Sequence, residues 1–173
     1  MLETDDLILR QGKASDWEDL YHNLWNRESV FQYLFSRPSQ SPDVARKKTE
    51  AYSLMHQEVP TEFFVIEKTS MQAIGIAGIK QLAPKIFTVT DIAIGPSFSG
   101  KGYGKQILLA LTKLAFVEQD ADELHYSCFS QNDISKKLAL SCGFKYDHSQ
   151  ETELPKNGEI IALDHFIRRK INV

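Results

Sequence analysis

The sequence has little of what several classes of protein require. It contains two cysteines among 173 residues, Cys128 and Cys142, and they form neither a CxxC pair nor a disulfide-rich pattern. A reduced, cytoplasmic protein is therefore expected. No apolar run approaches the roughly 18 residues that a membrane helix needs. Glu3, Asp5 and Asp6 occupy the N-terminal stretch where a signal peptide would carry positive charge, so we expect no membrane partner.

Positive charge is also scarce. The formal net charge is -3, whereas proteins that bind nucleic acid or anionic membrane surfaces broadly need a basic surface. We therefore expect no nucleic-acid partner. The five histidines lack HxxxH or clustered spacing, and no metal site is expected. The length is that of a single domain covering residues 1–173.

Hydrophobic periodicity alternates between strand and helix patterns. Strands are expected at residues 7–10, 62–68, 72–81, 86–94, 124–129, 144–146 and 159–167. Helices are expected after Ser15-Asp16, from Asp43 to before Pro60, from about Tyr103 to Ala115, and from Asn132 or Asp133 to Gly143. Residues 62–94 predict an antiparallel meander, and residues 86–129 predict a strand, helix, strand unit.

A glycine-rich turn joins the strand ending at Ile94 to the following helix. Gly100, Gly102 and Gly104 permit positive φ and close approach of the backbone to a bulky group. A helix N-terminus directs free N–H groups at such a group and favours an anion. No Asp or Glu occurs between Asp91 and Glu118, although acids are favoured in a first helical turn, and Lys101 and Lys105 lie there instead. The turn therefore predicts a phosphate site.

The turn nearly matches three known motifs but departs from each. Residues 95–101 match GxxxxGK, but Gly102 stands where a P-loop needs the Ser or Thr that binds Mg²⁺. The spacing of the glycines does not fit GxGxxG, and Ser99 breaks GxSxG at its last position. A P-loop nucleotide-binding protein is left as a remote alternative.

Two segments together resemble a known family. Ser99-Gly-Lys-Gly-Tyr-Gly104 resembles the [QR]-x-x-G-x-[GA] acetyl-CoA loop of the GNAT acetyltransferase superfamily. Downstream, Asn132-x-x-Ser135 leading to Cys142-Gly143-Phe144 is similar to that family's N-x-x-[AS]…GF segment. The start, at residues 4–10, resembles the branch related to ribosomal-protein N-terminal acetyltransferases.

The resemblance implies an α/β (α+β) domain with a mixed, mostly antiparallel sheet flanked by helices on both faces. It implies direct transfer of an acetyl group from acetyl-CoA to an amine, and relatives often form homodimers. The pyrophosphate would bind the backbone N–H groups of the turn, the pantetheine arm would pair with the preceding strand, and Asn132 would contact that arm. The implied cofactor-binding residues are Ile92, Ala93, Ile94, Ser99, Gly100, Lys101, Gly102, Tyr103, Gly104, Lys105, Asn132 and Ser135.

The chain departs from the family pattern at two positions. Ser99 replaces the usual Gln or Arg, which weakens one side-chain contact to phosphate, and Ala139 stands where the family often has a tyrosine acid. Ser135 is the candidate acid in its place, because in the ribosomal-protein branch this serine lies near the CoA sulfur. The alternative for Ser135 is a mid-helix hydroxyl that bonds its own backbone.

No general base stands out. Asp91 is the nearest carboxylate, and strict alternation would place it on the face opposite Thr90 and Ile92, so it is a weak candidate. His125 and Tyr126, on the following strand, are expected to be packed or exposed strand residues. A site without a dedicated base would suit an α-amine, with its pKa near 7.7–8.0, better than a lysine.

The acceptor itself is unidentified from the sequence. Trp25, Arg27 and Tyr33 lie in the helical region that covers the acceptor side of the cleft in this family, and they are candidates for acceptor contact. The alternative to an active enzyme is a GNAT-like domain that binds CoA without competent catalysis.

Overall fold

A computed structural model describes residues 1–171 of the chain. These residues build one eight-stranded sheet with helices on both faces. The strands, in chain order, are β1 (Leu2–Glu3), β2 (Leu7–Arg10), β3 (Glu62–Glu67), β4 (Ala73–Ala83), β5 (Ile86–Ile94), β6 (Glu123–Phe129), β7 (Lys145–Glu153) and β8 (Ile160–Arg169). No helix within residues 1–171 is long and apolar enough to cross a membrane.

Two hydrophobic clusters, one on each face of the sheet, hold the helices. The helices are α1 (Trp17–Leu20), which continues as a π-helical turn (Tyr21–Trp25), α2 (Glu28–Phe31), α3 (Pro42–Glu58), α4 (Tyr103–Lys113) and α5 (Asp133–Ser141). On β3 the side chains alternate between clusters: Phe63 and Val65 face the side of α4 and α5, whereas Phe64 and Ile66 face the side of α1 and α3. Both faces of β3 are buried, which explains its uninterrupted apolar run.

The sheet is mostly antiparallel, in the order β1-β2-β3-β4-β5-β6-β8-β7. Its parallel pair is β5 with β6, which pairs residues 86–88 with residues 123–125 and then stops. Beyond Thr88 and His125 the two strands separate, and the cavity described below opens between them. The predicted mixed, mostly antiparallel sheet with helices on both faces is confirmed.

Two predicted elements differ from the structure. The strand expected at residues 144–146 is longer in the structure, where β7 runs to Glu153. The sequence did not show this length, because an exposed edge strand can be polar throughout and then lacks the apolar alternation that predicts a strand. The sequence places Ala45, Ala51 and Leu54 as the apolar residues of the helix expected from Asp43, but in α3 Leu54 is 63% exposed. The buried side of that helix is formed by small or polar residues, Ala45, Thr49 and Ser53, which make room for the aromatic rings packed against it.

A β-bulge breaks the alternation of β5 next to the cavity. Ala77 pairs with Ile92 and Ile79 pairs with Val89, so the single residue Gly78 faces two residues of β5, Thr90 and Asp91. The expectation that Asp91 lies on the face opposite Thr90 is therefore corrected: Thr90 Oγ1 and Glu62 Oε2 both lie in front of Gly78, and the charge of Asp91 acts on the same Glu62 carboxyl.

Candidate active site

The glycine-rich turn begins where β5 ends. Gly100 and Gly102 have φ of 78° and 79°, a left-handed conformation that strongly favours glycine. Gly102 is the N-cap of α4, and the first hydrogen bond of that helix runs from the N–H of Gln106 to the Gly102 carbonyl at 3.2 Å. The N–H groups of residues 103–105 therefore point out of the helix end. A Cβ at Gly100 or Gly102 would meet no protein atom within 4 Å, so the space in front of the turn is open.

Gly104 has a different role from the other two glycines. A Cβ on Gly104 would lie 3.4 Å from a methyl carbon of Leu138 on α5. Gly104 therefore lies in the contact between the first turn of α4 and the second half of α5.

The turn is fixed to the sheet through Glu67 at the end of β3. The Glu67 Oε1 atom accepts a hydrogen bond from the Tyr103 hydroxyl at 2.7 Å and one from Lys101 Nζ at 2.9 Å, while Ser70 Oγ donates to Oε2 at 2.8 Å. These hydrogen bonds, that from Tyr103 foremost, hold the pKa of Glu67 below its usual range. The Lys101 charge is thus paired with Glu67, and the buried Tyr103 ring leaves its backbone N–H as the group available to a ligand.

A cavity of about 470 Å³ lies between the separated strands. Residues 89–94 of β5 form one wall and residues 126–129 of β6 the other. The segment 29–35 closes one side, whereas Asn132 and Ser135 at the start of α5, together with Pro96 and Ser99 of the turn, line the other. The turn that leads into α4 therefore reaches the edge of this cavity through Pro96 and Ser99.

Two hydroxyl groups meet inside this cavity. The Tyr126 hydroxyl lies 2.6 Å from Ser135 Oγ, and Asn132 Oδ1 accepts the Ser135 backbone N–H at 3.1 Å as the N-cap of α5. Burial raises the pKa of Tyr126 to about 12, so the phenol stays protonated near neutral pH. Sequence reasoning treated Tyr126 as a packed or exposed strand residue, and it is indeed buried, with its ring next to that of Phe144. Strand alternation could not have indicated its place at the cavity, because Ser127 and Phe129 on the other face of β6 line the cavity as well.

Asp91 is the acidic group of the cavity. Burial raises its pKa to about 6, and the positive charges of Lys48 and Lys80 oppose that rise. Lys48 lies behind it, with Nζ 4.1 Å from the centroid of the Trp25 ring. Burial lowers the pKa of Lys48 to about 8, against the opposing charge of Asp91.

A second carboxyl group lies behind Asp91, outside the cavity lining. Glu62 is 9% exposed, and burial, reinforced by the charge of Asp91, raises its pKa to about 7. Gly78 makes room for this carboxyl, since a Cβ there would lie 2.0 Å from Glu62 Oε2. The bulge and Gly78 together bring two carboxyl groups with raised pKa values near each other across β4, Glu62 from β3 and Asp91 from β5.

The three residues predicted to contact the acceptor do not lie together in the structure. Trp25 is buried in the core, where its Nε1 donates to Thr49 Oγ1 at 3.2 Å. Arg27 lies outside the cavity lining, and its Nε donates to the His22 carbonyl at 2.8 Å. Tyr33 lines the cavity, as do two aromatic residues that sequence reasoning did not single out, Phe35 and Phe129.

Within residues 1–171, no group of three or more His, Cys, Asp or Glu side chains is placed to hold a metal ion.

Comparison with known proteins identifies the class to which this fold and site belong. Residues 6–145 match the family model described as an acetyltransferase (GNAT) domain. A curated relative is the uncharacterised N-acetyltransferase YoaA of Bacillus subtilis (strain 168), which is 25% identical over 160 residues, 91% of this chain and 90% of the relative. This chain belongs to the GNAT acetyltransferase family.

Solved structures share the fold along nearly the whole chain. A GNAT-family acetyltransferase from Bacillus anthracis superposes with a TM-score of 0.83 at 15% identity and covers 97% of each chain. A ribosomal alpha-N-protein acetyltransferase, RimL, in complex with coenzyme A superposes with a TM-score of 0.78 at 20% identity, over 96% of this chain and 95% of that one. At these identities the likeness supports the fold. That fold contains one parallel strand pair in a mostly antiparallel sheet, unlike the parallel sheet of a P-loop enzyme.

Proposed function

We propose that the protein is an acetyl-CoA-dependent N-acetyltransferase that uses Asp91 as its general base and the Tyr126–Ser135 pair as its proton donor. The observation that carries the proposal is the continuity of the cavity. An unpaired stretch of strand, a carboxyl group with a raised pKa and a protonated phenol line one cavity, and Ser99 of the glycine-rich turn that leads into the open end of α4 lines it as well.

The residues present fit acetyl-CoA. The N–H groups at the start of α4 suit a pyrophosphate, and the open space in front of Gly100 and Gly102 leaves room for it. Residues 89–94 face the gap left by β6 and can pair with the amide groups of a pantetheine arm. Side-chain contributions to the phosphate are small, since Ser99 is short and Lys101 is paired with Glu67. Lys105, exposed in the first turn of α4, is the remaining positive side chain there.

Acetyl-CoA supplies an activated acetyl thioester. In the transfer, a bond forms between the amine nitrogen and the thioester carbonyl carbon, and the carbon–sulfur bond breaks. Asp91 accepts the proton lost by the nitrogen, which a carboxylate with a pKa near 6 can do at neutral pH.

The departing sulfur needs a proton, and the hydroxyl pair can deliver it. Ser135 lies at the start of α5 next to Asn132, and Tyr126 is the ionisable member of the pair, 2.6 Å away. We propose that Ser135 relays the proton and Tyr126 supplies it. A tyrosine on β6 would thereby take the place of the one absent at position 139.

The test measures release of free thiol from acetyl-CoA with a panel of primary amines. We expect amine-dependent thiol release in the wild-type protein and a loss of at least about 100-fold in the Asp91→Asn, Tyr126→Phe double variant. Stoichiometric binding of acetyl-CoA in calorimetry without transfer to any amine would instead support a CoA-binding domain without catalysis. Mg²⁺-dependent binding of ATP or GTP in place of CoA would overturn the proposal.

A further inference from the structure

The cavity carries charge of one sign. Among the described residues that line it, Asp91 is the one acidic side chain, and Lys, Arg and His are absent from the lining. Burial raises the pKa values of Tyr126 and Cys128, so both side chains are neutral near pH 7. An acceptor therefore meets a carboxylate and no cationic side chain on the cavity surface.

The neighbouring lysines are directed elsewhere. Lys48 Nζ lies over the rings of Trp25 and Phe31, at 4.1 Å and 4.8 Å from their centroids, behind Asp91. Lys156 Nζ donates to the carbonyls of Phe31 and Leu34 at 2.7 Å and 2.8 Å.

Two further lysines lie near the site. Lys136 Nζ donates to the Ser130 carbonyl at 2.6 Å and pairs with Asp133 at 2.8 Å. Lys80 is exposed and acts on Asp91 from outside the lining. None of these four ammonium groups is part of the cavity wall to which an acceptor would bind.

The acceptor side of the cavity is aromatic and apolar. The Phe129 ring packs edge-on against Tyr33 at 5.9 Å and against Phe35 at 5.7 Å, both with an interplanar angle of 78°. Val30, Leu34 and Leu163 complete this wall. Such a surface stabilises an apolar body of the acceptor by removing it from water.

We infer that the acceptor is a primary amine attached to an apolar or aromatic body, with no carboxylate or phosphate close to the amine. The inference rests on the proposed acetyl transfer. The amine binds beside Asp91, and the body packs against the Phe129 wall. A carboxylate on the same carbon as the amine would lie close to Asp91, where it would be desolvated without a cationic partner and repelled by the base.

Two sources share this chemistry: a small aromatic monoamine, and a polypeptide N-terminus whose first residue is large and apolar. In both, the carbon next to the amine carries no charge. The arms of the experiment separate them.

The experiment compares acceptors that differ in the carboxylate. L-Phenylalaninamide and L-phenylalanine share the same body, and 2-phenylethylamine controls for amine basicity, because the amide group also makes its amine less basic. We expect kcat/KM for both carboxylate-free amines to exceed that for phenylalanine by at least about tenfold. A smaller ratio, with transfer occurring, would overturn the inference and leave acetyl transfer standing.

A peptide arm identifies the source. Faster transfer to Phe-Ala-Ala amide than to 2-phenylethylamine would support a polypeptide N-terminus, and the reverse order would support a small monoamine. If no amine is acetylated, calorimetric binding of the same three compounds to the CoA-loaded protein tests the preference without chemistry. The expected order of affinity would then support the inference while rejecting catalysis, and equal affinities would overturn it.

A positive charge introduced at the edge of the cavity tests whether electrostatics causes the preference against the carboxylate. Phe35 is 46% exposed, so Phe35→Arg should fold, and it should reduce the preference against phenylalanine at least about threefold by offering its carboxylate a partner. Tyr146→Arg is the matched control, since Tyr146 is 55% exposed on β7 and outside the cavity lining. A preference unchanged in a Phe35→Arg protein that still binds acetyl-CoA would contradict the electrostatic explanation and overturn the inference.

Discussion

The hydroxyl oxygen of Tyr126 on β6 lies 2.6 Å from that of Ser135 on α5, and both side chains line the cavity between the separated strands. The two residues contribute differently to the proposed proton transfer. Ser135 is placed by the Asn132 cap at the start of its helix, and Tyr126 holds a phenol proton that burial keeps in place near neutral pH.

The first prediction concerns this pair. Tyr126→Phe should lower kcat by about 100-fold while leaving acetyl-CoA affinity nearly unchanged, because the ring is kept and the proton donor is removed. Ser135→Ala should lower kcat comparably, and the double variant should be little worse than either single one, since two residues acting as a unit are not additive. Steady-state kinetics with calorimetry measures both quantities.

A control for this prediction exists on β7. The Tyr146 hydroxyl makes a similar contact with Ser149 Oγ at 2.8 Å, far from the cavity lining. Tyr146→Phe should leave kcat unchanged. Additive losses in the Tyr126, Ser135 double variant would show that the two hydroxyls act separately.

The second prediction is the pH dependence of the base. The pKa of Asp91 is raised to about 6, so the carboxylate form is depleted below that pH, and kcat/KM, expressed per concentration of unprotonated acceptor amine, should fall about tenfold for each pH unit below 6. Asp91→Asn should remove this acidic limb and lower kcat/KM at pH 7 by about 100-fold. Asp147→Asn, an exposed aspartate on β7, is the control. An acidic limb that persists in the Asp91 variant would assign the titration to another group.

The third prediction concerns the glycine-rich turn. Gly102→Glu forces a side chain into positive φ, which costs about 1–2 kcal/mol, and places a negative charge at the open helix end. We expect acetyl-CoA affinity to fall by on the order of 100-fold, as measured by calorimetry.

The Gly158→Glu variant separates the effect of backbone strain from that of the negative charge at the helix end. Gly158 has a similar φ of 74° in the loop between β7 and β8, so the same substitution there should lower thermal stability without weakening acetyl-CoA binding. Unchanged affinity in Gly102→Glu would remove the turn from the cofactor site.

The fourth prediction concerns the wall on the acceptor side. From the loop between β7 and β8, Lys156 Nζ donates hydrogen bonds to the carbonyls of Phe31 and Leu34, and residues 29, 30 and 33–35 of that segment line the cavity. Lys156→Met should loosen this segment and raise KM for the acceptor about threefold to tenfold, with acetyl-CoA affinity unchanged. Lys145→Met on β7 serves as a control for the loss of one lysine. An unchanged KM would show that the segment is held by its hydrophobic packing alone.

Local signals accounted for most of the elements and for the cofactor side of the site. Residues 86–94 were predicted as a strand with the bounds that β5 has, and Asn132 or Asp133 was predicted as the cap of the helix that Asn132 caps in the structure. Such features depend on neighbours in sequence, namely β-branched runs, capping oxygens and glycines at positive φ, and can therefore be read from a short window.

The acceptor side could not be read in this way. Phe129 meets Tyr33 and Phe35 only because α2 and the segment after it pack across the end of β6. Trp25, in contrast, turns into the core, where Thr49 of α3 supplies a partner for its indole N–H. The spacing of aromatic residues along the chain does not predict which of them will face a cavity.

The sequence by itself determined the family, the glycine-rich turn and the absence of acidic residues around it, because these depend on residue identity at fixed short distances. The tertiary structure decided which groups can do chemistry. Asp91 reaches the cavity through a bulge opposite Gly78, Tyr126 meets Ser135 across two elements, and Lys101 is paired with Glu67. Burial and long-range contacts set these pKa values and pairings, and both exist only once distant segments have packed together.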